Sequence, residues 1–127
     1  MITGFHSIVY SDDAEVTRAF FRDVLGWSHV DADGDGWLIF RTPPSEVGVH
    51  PTHGDEGQEW AKVPHHTVSL MCDDIEATVA DLRAKGVVVA DEIVDQGYGL
   101  VTSFEVPAAG SIDLYQPRYR PAYDVDG

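Results

Sequence analysis

GFHSIVYSDD (residues 4–13) and PHHTVSLMCDD (64–74) read alike: histidine, an apolar β-branched run, then two aspartates. Sliding the chain so that Asp12-Asp13 falls on Asp73-Asp74 also lays Glu15, Thr17, Ala19 and Arg22 on Glu76, Thr78, Ala80 and Arg83. With a slightly longer displacement Gly36 meets Gly99, Pro44 meets Pro107, and Val49-His50 meets Ile112-Asp113. Two copies are too few for a solenoid, so they imply one duplicated supersecondary unit.

Each copy predicts the same order of elements. A β-rich stretch comes first, Ile8–Tyr10 in one copy and Val68–Met71 in the other. Asp-Asp then supplies a helix N-cap, with Glu15 or Glu76 at capping-box spacing from the first aspartate. An amphipathic helix follows, with Val16, Ala19, Phe20 and Val24 on one face in copy one and Ile75, Val79 and Leu82 in copy two. Gly26 and Gly86 are its C-cap candidates. Three short strands complete each copy, about 27–32, 36–42 and 46–50, then about 87–94, 99–106 and 111–116, with Gly and Pro clusters between them. The expected fold is α+β: two tandem βαβββ units in one domain, unit one about 4–50, a linker about 51–64 and unit two about 65–117. The tail, 118–127, reads as loosely ordered. Two such units side by side are expected to form a curved mixed sheet enclosing a cavity, a common ligand site.

The 127 residues suffice for one core. Eight basic against 22 acidic residues give a formal charge of −14, which opposes binding to nucleic acid and to anionic membranes. The single cysteine, Cys72, excludes an internal disulfide and reads as a buried thiol. Without a signal-like N-terminus or a spanning apolar run, a cytoplasmic protein is expected. The glycines of DADGDG (31–36) have neither the lysine nor the following helix of a phosphate loop, and no Ser-His-Asp or Cys-His spacing stands out.

HSIVYSDDAEVTRAFFRDVLGW (6–27), DDIEATVADLRAKGV (73–87) and GSIDLYQP (110–117) carry a resemblance. Over about 4–117 the chain resembles the vicinal oxygen chelate superfamily, which includes glyoxalase I, bleomycin-resistance proteins and extradiol dioxygenases. The resemblance implies metal ligands on the first and last strands of each unit: His6, His50, His66 and Asp113. His66 stands one residue out of register with His6, which the repeat matches to Thr67. Strand alternation would give Thr67 and His65 one face and His66 the other, unless a bulge intervenes. His50 stands where glyoxalase I is expected to have glutamate, and Asp113 is shorter than the usual glutamate. The set implies a divalent metal, Fe(II) favoured, with Mn, Ni, Zn or Co as alternatives.

Trp37, Phe40, Trp60, Tyr98, Phe104 and Tyr115 are the candidate substrate-binding aromatics, although core duty is the usual fate of such residues. Glu59, Tyr98 and Tyr115 are the candidate acids or bases. The first functional reading is a metal-dependent enzyme acting on a small, aromatic or vicinal-oxygen substrate, with dioxygenase-like chemistry. The second is a metal-free antibiotic-binding protein of the bleomycin-resistance type, where an acidic chain favours a cationic drug. The third is a descendant that keeps only the fold. A homodimer is expected, with units paired within or across chains.

Overall fold

The computed structural model describes residue 1 and residues 6–125. Its chain order begins with α1 (Ala14–Ala19), which runs on into a π-helical turn at Phe20–Val24. A hairpin of β1 (His29–Asp31) and β2 (Leu38–Phe40) follows. Then come β3 (Ser69–Met71), α2 (Ile75–Ala84), β4 (Val94–Asp95), β5 (Gly99–Val106) and β6 (Gly110–Pro117). A short 3₁₀ turn, Ala122–Asp124, lies in the tail. The chain is α+β.

The second half forms a four-stranded sheet in the order β3-β6-β5-β4. β3 runs parallel to β6, and the other pairs are antiparallel. The strand expected over 87–94 is broken. Ala90 N–H donates to Ser103 O and Glu105 N–H to Val88 O, and pairing resumes only at β4. Between them the Thr102 hydroxyl donates to Glu92 O, so a side chain takes over where the ladder lapses.

The first half departs from its expected plan. Among the described residues, 6–10 and 46–50 form no strand, leaving α1 and one hairpin. Among the described residues the two sheets share no strand pairing and so form no closed sheet around a cavity. The first helix lies against the second unit: Thr17 Oγ1 donates to Pro107 O, and Asp12 N–H to Ala108 O. Phe20 meets Phe104 with ring centroids 6.2 Å apart. Thr17 and Phe20 are the buried residues of that helix, whereas Val16 faces outward. A threonine satisfied by a carbonyl is as buriable as valine once its hydroxyl is paired.

The core is a single cluster of Phe20, Ile75, Val79, Leu82, Val87, Val89, Phe104, Val106 and Leu114. It lies on the helix-covered face of the four-stranded sheet. Along β5 the even positions Thr102, Phe104 and Val106 are buried, as is Leu114 on β6. Alternation therefore assigns Val101, Ser103, Asp113 and Tyr115 to the opposite, open face. The hairpin is fastened to the first helix by Phe21, which meets Phe40 at 5.6 Å and Trp27 at 5.2 Å.

Both helices are capped alike, but by the second aspartate rather than the first. Asp13 accepts from Val16 N–H and Asp74 from Ala77 N–H, at backbone φ of −142° and −143°. Glu15 and Glu76 thus fall one position short of a capping box and act through the helix dipole in the first turn. Asp74→Ala is expected to cost about 1 kcal/mol of stability, read as a lower urea midpoint at constant slope; an unchanged midpoint would remove the cap from the account.

Candidate functional site

The open face of the four-stranded sheet carries the site. An open depression of about 550 Å³ lies against it, lined by Asp91, Glu92, Val94, Val101, Ser103 and Asp113 among others. Three of those six side chains are acidic, so the depression repels anions. At its neighbour on β6, Tyr115 is half-buried, and Tyr98 stands edge-on to it at 5.7 Å. The structure thus brings Asp113, Tyr115 and Tyr98 to one face.

Tyr115 is held by a group that sequence patterning did not single out. Its hydroxyl lies 3.2 Å from Glu46 Oε1 and 2.9 Å from the Tyr119 hydroxyl, and its one proton serves either acceptor. Glu46 also accepts from the Tyr119 hydroxyl and, at 2.8 Å, from Ala122 N–H. These donors hold the Glu46 carboxyl below its usual range, Tyr119 contributing most. Burial pushes the Tyr115 phenol up, and burial with the Glu46 carboxylate pushes Tyr119 up further. Within the tail, the described residues 118–125 are therefore tied down rather than loose. Arg118 donates to both Asp95 oxygens at 2.5 and 2.7 Å, and its N–H donates to Tyr98 O. Nothing in local periodicity marks Glu46 or Tyr119, because their partners lie about 70 residues apart in the chain.

The remaining expected site residues lie elsewhere. Phe104 is 2% exposed and belongs to the core, on the face away from Asp113. Phe40 packs against Phe21 and His29. Trp37 is exposed beneath the Arg18 guanidinium, 5.0 Å from its ring centre. The stretch expected as a linker makes a compact turn, with Trp60 and Ala61 N–H both donating to Thr52 O. There Glu59 stands 3.5 Å from His53, and Trp60 meets His50 edge-on at 5.0 Å.

The expected metal ligands are not gathered in one chain. His6, His50, His66 and Asp113 are all exposed. His50 Nδ1–H donates to Pro51 O at 2.8 Å, and His65 Nδ1–H to Val63 O at 2.9 Å. Among the described residues no three His, Cys, Asp or Glu side chains are placed to share an ion. The donor set present in a single chain thus does not fit a metal centre. β3 begins at Ser69, which pairs with Asp113. Carried back, its alternation gives Thr67 the face of Asp113 and His66 the other. Cys72 is half-buried, and burial raises its thiol above the usual value.

No helix among the described residues is long and apolar enough to cross a membrane. No curated protein matches the chain. Solved structures do. A lactoylglutathione lyase from Agrobacterium tumefaciens is 18% identical over 85% of this chain and 88% of its own, with a TM-score of 0.57. TnmS3, an antibiotic binding protein from Streptomyces sp. CB03234, is 23% identical over 86% of this chain and 90% of its own, with a TM-score of 0.58. The fosfomycin resistance protein FosX from Listeria monocytogenes is 16% identical over 91% of this chain and 92% of its own, with a TM-score of 0.55. At these identities the likeness is one of fold, and the sequence match is what establishes kinship: the family model covers residues 4–127, and the chain belongs to the Glyoxalase/Bleomycin resistance protein/Dioxygenase superfamily.

Proposed function

We propose that this protein binds a small, aromatic, oxygenated molecule on the open face of the four-stranded sheet. The observation that carries the reading is the convergence of Tyr98, Tyr115 and Asp113 beside an open depression. Tyrosine rings offer stacking surface, and their hydroxyls fix orientation. Asp113 accepts a hydrogen bond from a ligand hydroxyl. Asp91 and Glu92 favour neutral or cationic ligands over anionic ones. The names of TnmS3 and FosX, both tied to antibiotics, agree with a small-molecule role.

A metal-dependent activity, dioxygenase-like with Fe(II) favoured, is the finer proposal, and it needs His6, His50 and His66 to reach Asp113. One chain does not gather them, so that proposal goes with a homodimer. Ile8, Tyr10, Val47 and Val49 support association, since they are exposed on the two segments expected as strands that make no ladder. Unpaired β-prone segments with exposed apolar side chains seek a partner.

The test titrates catechol and a cationic aromatic antibiotic into anaerobically purified protein, with and without Fe(II), Mn(II), Ni(II) or Zn(II), and compares Asp113→Ala. Saturable binding weakened about tenfold by the substitution is expected, the scale of one hydrogen bond to a charged group. Stoichiometric metal lost in both Asp113→Ala and His50→Ala, together with turnover, selects the enzyme. Binding without metal or turnover selects the sequestration protein. No saturable binding of either probe overturns the reading.

A further inference from the structure

We propose that Glu46 is a latch: it joins the 41–50 loop to the C-terminal segment 118–125 and holds both shut over the Tyr115 end of the open face. The loop has no helix or strand of its own. Among the described residues, Arg41 N–H donates to Ser28 O at its start and His50 Nδ1–H to the adjoining Pro51 O at its end, and between them Glu46 supplies the loop's hydrogen bonds to the rest of the chain. The tail has two fastenings of different kinds. Arg118, clamped to Asp95 and to the Tyr98 carbonyl, fixes it at the sheet edge. Beyond that point Tyr119 and Ala122 N–H both go to Glu46. Arg118 is thus the hinge and Glu46 the catch.

The catch is built on the candidate ligand surface. Tyr115 shares its face with Asp113, and its hydroxyl is spent on Glu46 and Tyr119. With the latch closed, the one proton of that hydroxyl is engaged within the cluster and not free for a ligand. Released, the tail swings about Arg118 and frees both the hydroxyl and the surface. The proposal deepens the ligand reading by assigning how access to that face is regulated, and it rests on that reading for its consequence alone. An ionised carboxylate accepting from the Tyr119 hydroxyl and Ala122 N–H is suited to the role, because charge-assisted hydrogen bonds are strong.

The experiment uses the full chain and no ligand, so failure of the ligand reading leaves its outcome interpretable. Hydrogen exchange is measured on peptides spanning 41–50 and 118–125 in the wild type and in Glu46→Ala. Nitration of Tyr115 by tetranitromethane is read by peptide mass, with Tyr10, 87% exposed, as internal reference. About tenfold faster exchange is expected in 118–125, where Ala122 N–H donates to Glu46, with 41–50 as the reference because its amides past Arg41 donate to no partner, Tyr115 nitration rising towards that of Tyr10, and β5 exchange unchanged. If β5 exchange shows that Glu46→Ala has lost its fold, Tyr119→Phe carries the test, with the same direction and a smaller change. Unchanged exchange in 118–125, or unchanged nitration of Tyr115, overturns the latch.

Discussion

Phe104→Ala is expected to lower stability by about 3–5 kcal/mol, the usual cost of truncating a buried phenylalanine. The side chain is 2% exposed and faces α2 and the first helix, where it meets Phe20. Total stability for a chain of this size is about 5–15 kcal/mol, so the variant should be partly unfolded at moderate temperature. Chemical denaturation followed by circular dichroism reads the loss. The measurement also decides between two placements of one residue. As a ligand-contacting aromatic on the open face, Phe104 would lose less than about 1 kcal/mol on truncation, as surface positions do. A cycle with Phe20→Ala extends the result. Coupling of about 0.5–3 kcal/mol is expected for side chains in contact. Such coupling would show that the first helix is anchored on the second unit's sheet; additive losses would separate them.

Gly99→Ala is the second large effect, about 1–3 kcal/mol by forced overpacking. Gly99 opens β5 opposite Pro117, and an added Cβ would lie 2.4 Å from the Gln116 carbonyl oxygen and 3.2 Å from Pro117 Cα. Both are backbone atoms, so no side chain can turn aside. Displacement of Gln116 has a further cost, because its Oε1 accepts from Ile75 N–H at the start of α2. The strain therefore reaches the helix that covers the core. Gly48→Ala is the matching control, since nothing lies within 4 Å of its added Cβ. Equal midpoints for the two variants in urea would refute the close approach at Gly99.

The second half of the chain was largely legible. Its helix face of Ile75, Val79 and Leu82 is buried as the spacing implies, and the strands expected at 99–106 and 111–116 form within a residue of those bounds. Local patterns suffice there because β5 and β6 are joined by a tight turn and pair over their whole length. Gly26 and Gly86, taken as C-caps, have positive φ of 72° and 86°, a conformation that glycine adopts without strain. The first unit was less legible. Its expected first and last strands have the right composition, yet a β-prone segment becomes a strand only when another backbone is positioned beside it.

The same distinction separates the parts of the candidate site. Asp113 and Tyr115 could be placed together by parity, two residues apart on one strand. Tyr98 was legible only as part of a glycine-flanked turn, and its place edge-on to Tyr115 comes from the fold. Phe104 was misjudged between two faces, because alternation says which residues share a side and not which side a helix will cover. Glu46 and Tyr119 had no signal, since their pairing joins a loop and a tail distant in sequence. The α+β class, the presence of an Asp-Asp cap ahead of each helix, the amphipathic face of the later helix and the family were legible from residue order, because they rest on short-range periodicity and recurring residues. Tertiary structure alone decided which face of the sheet stays open, where the first helix docks and what holds the tail, because these depend on burial and on hydrogen bonds between segments that the chain's order leaves far apart.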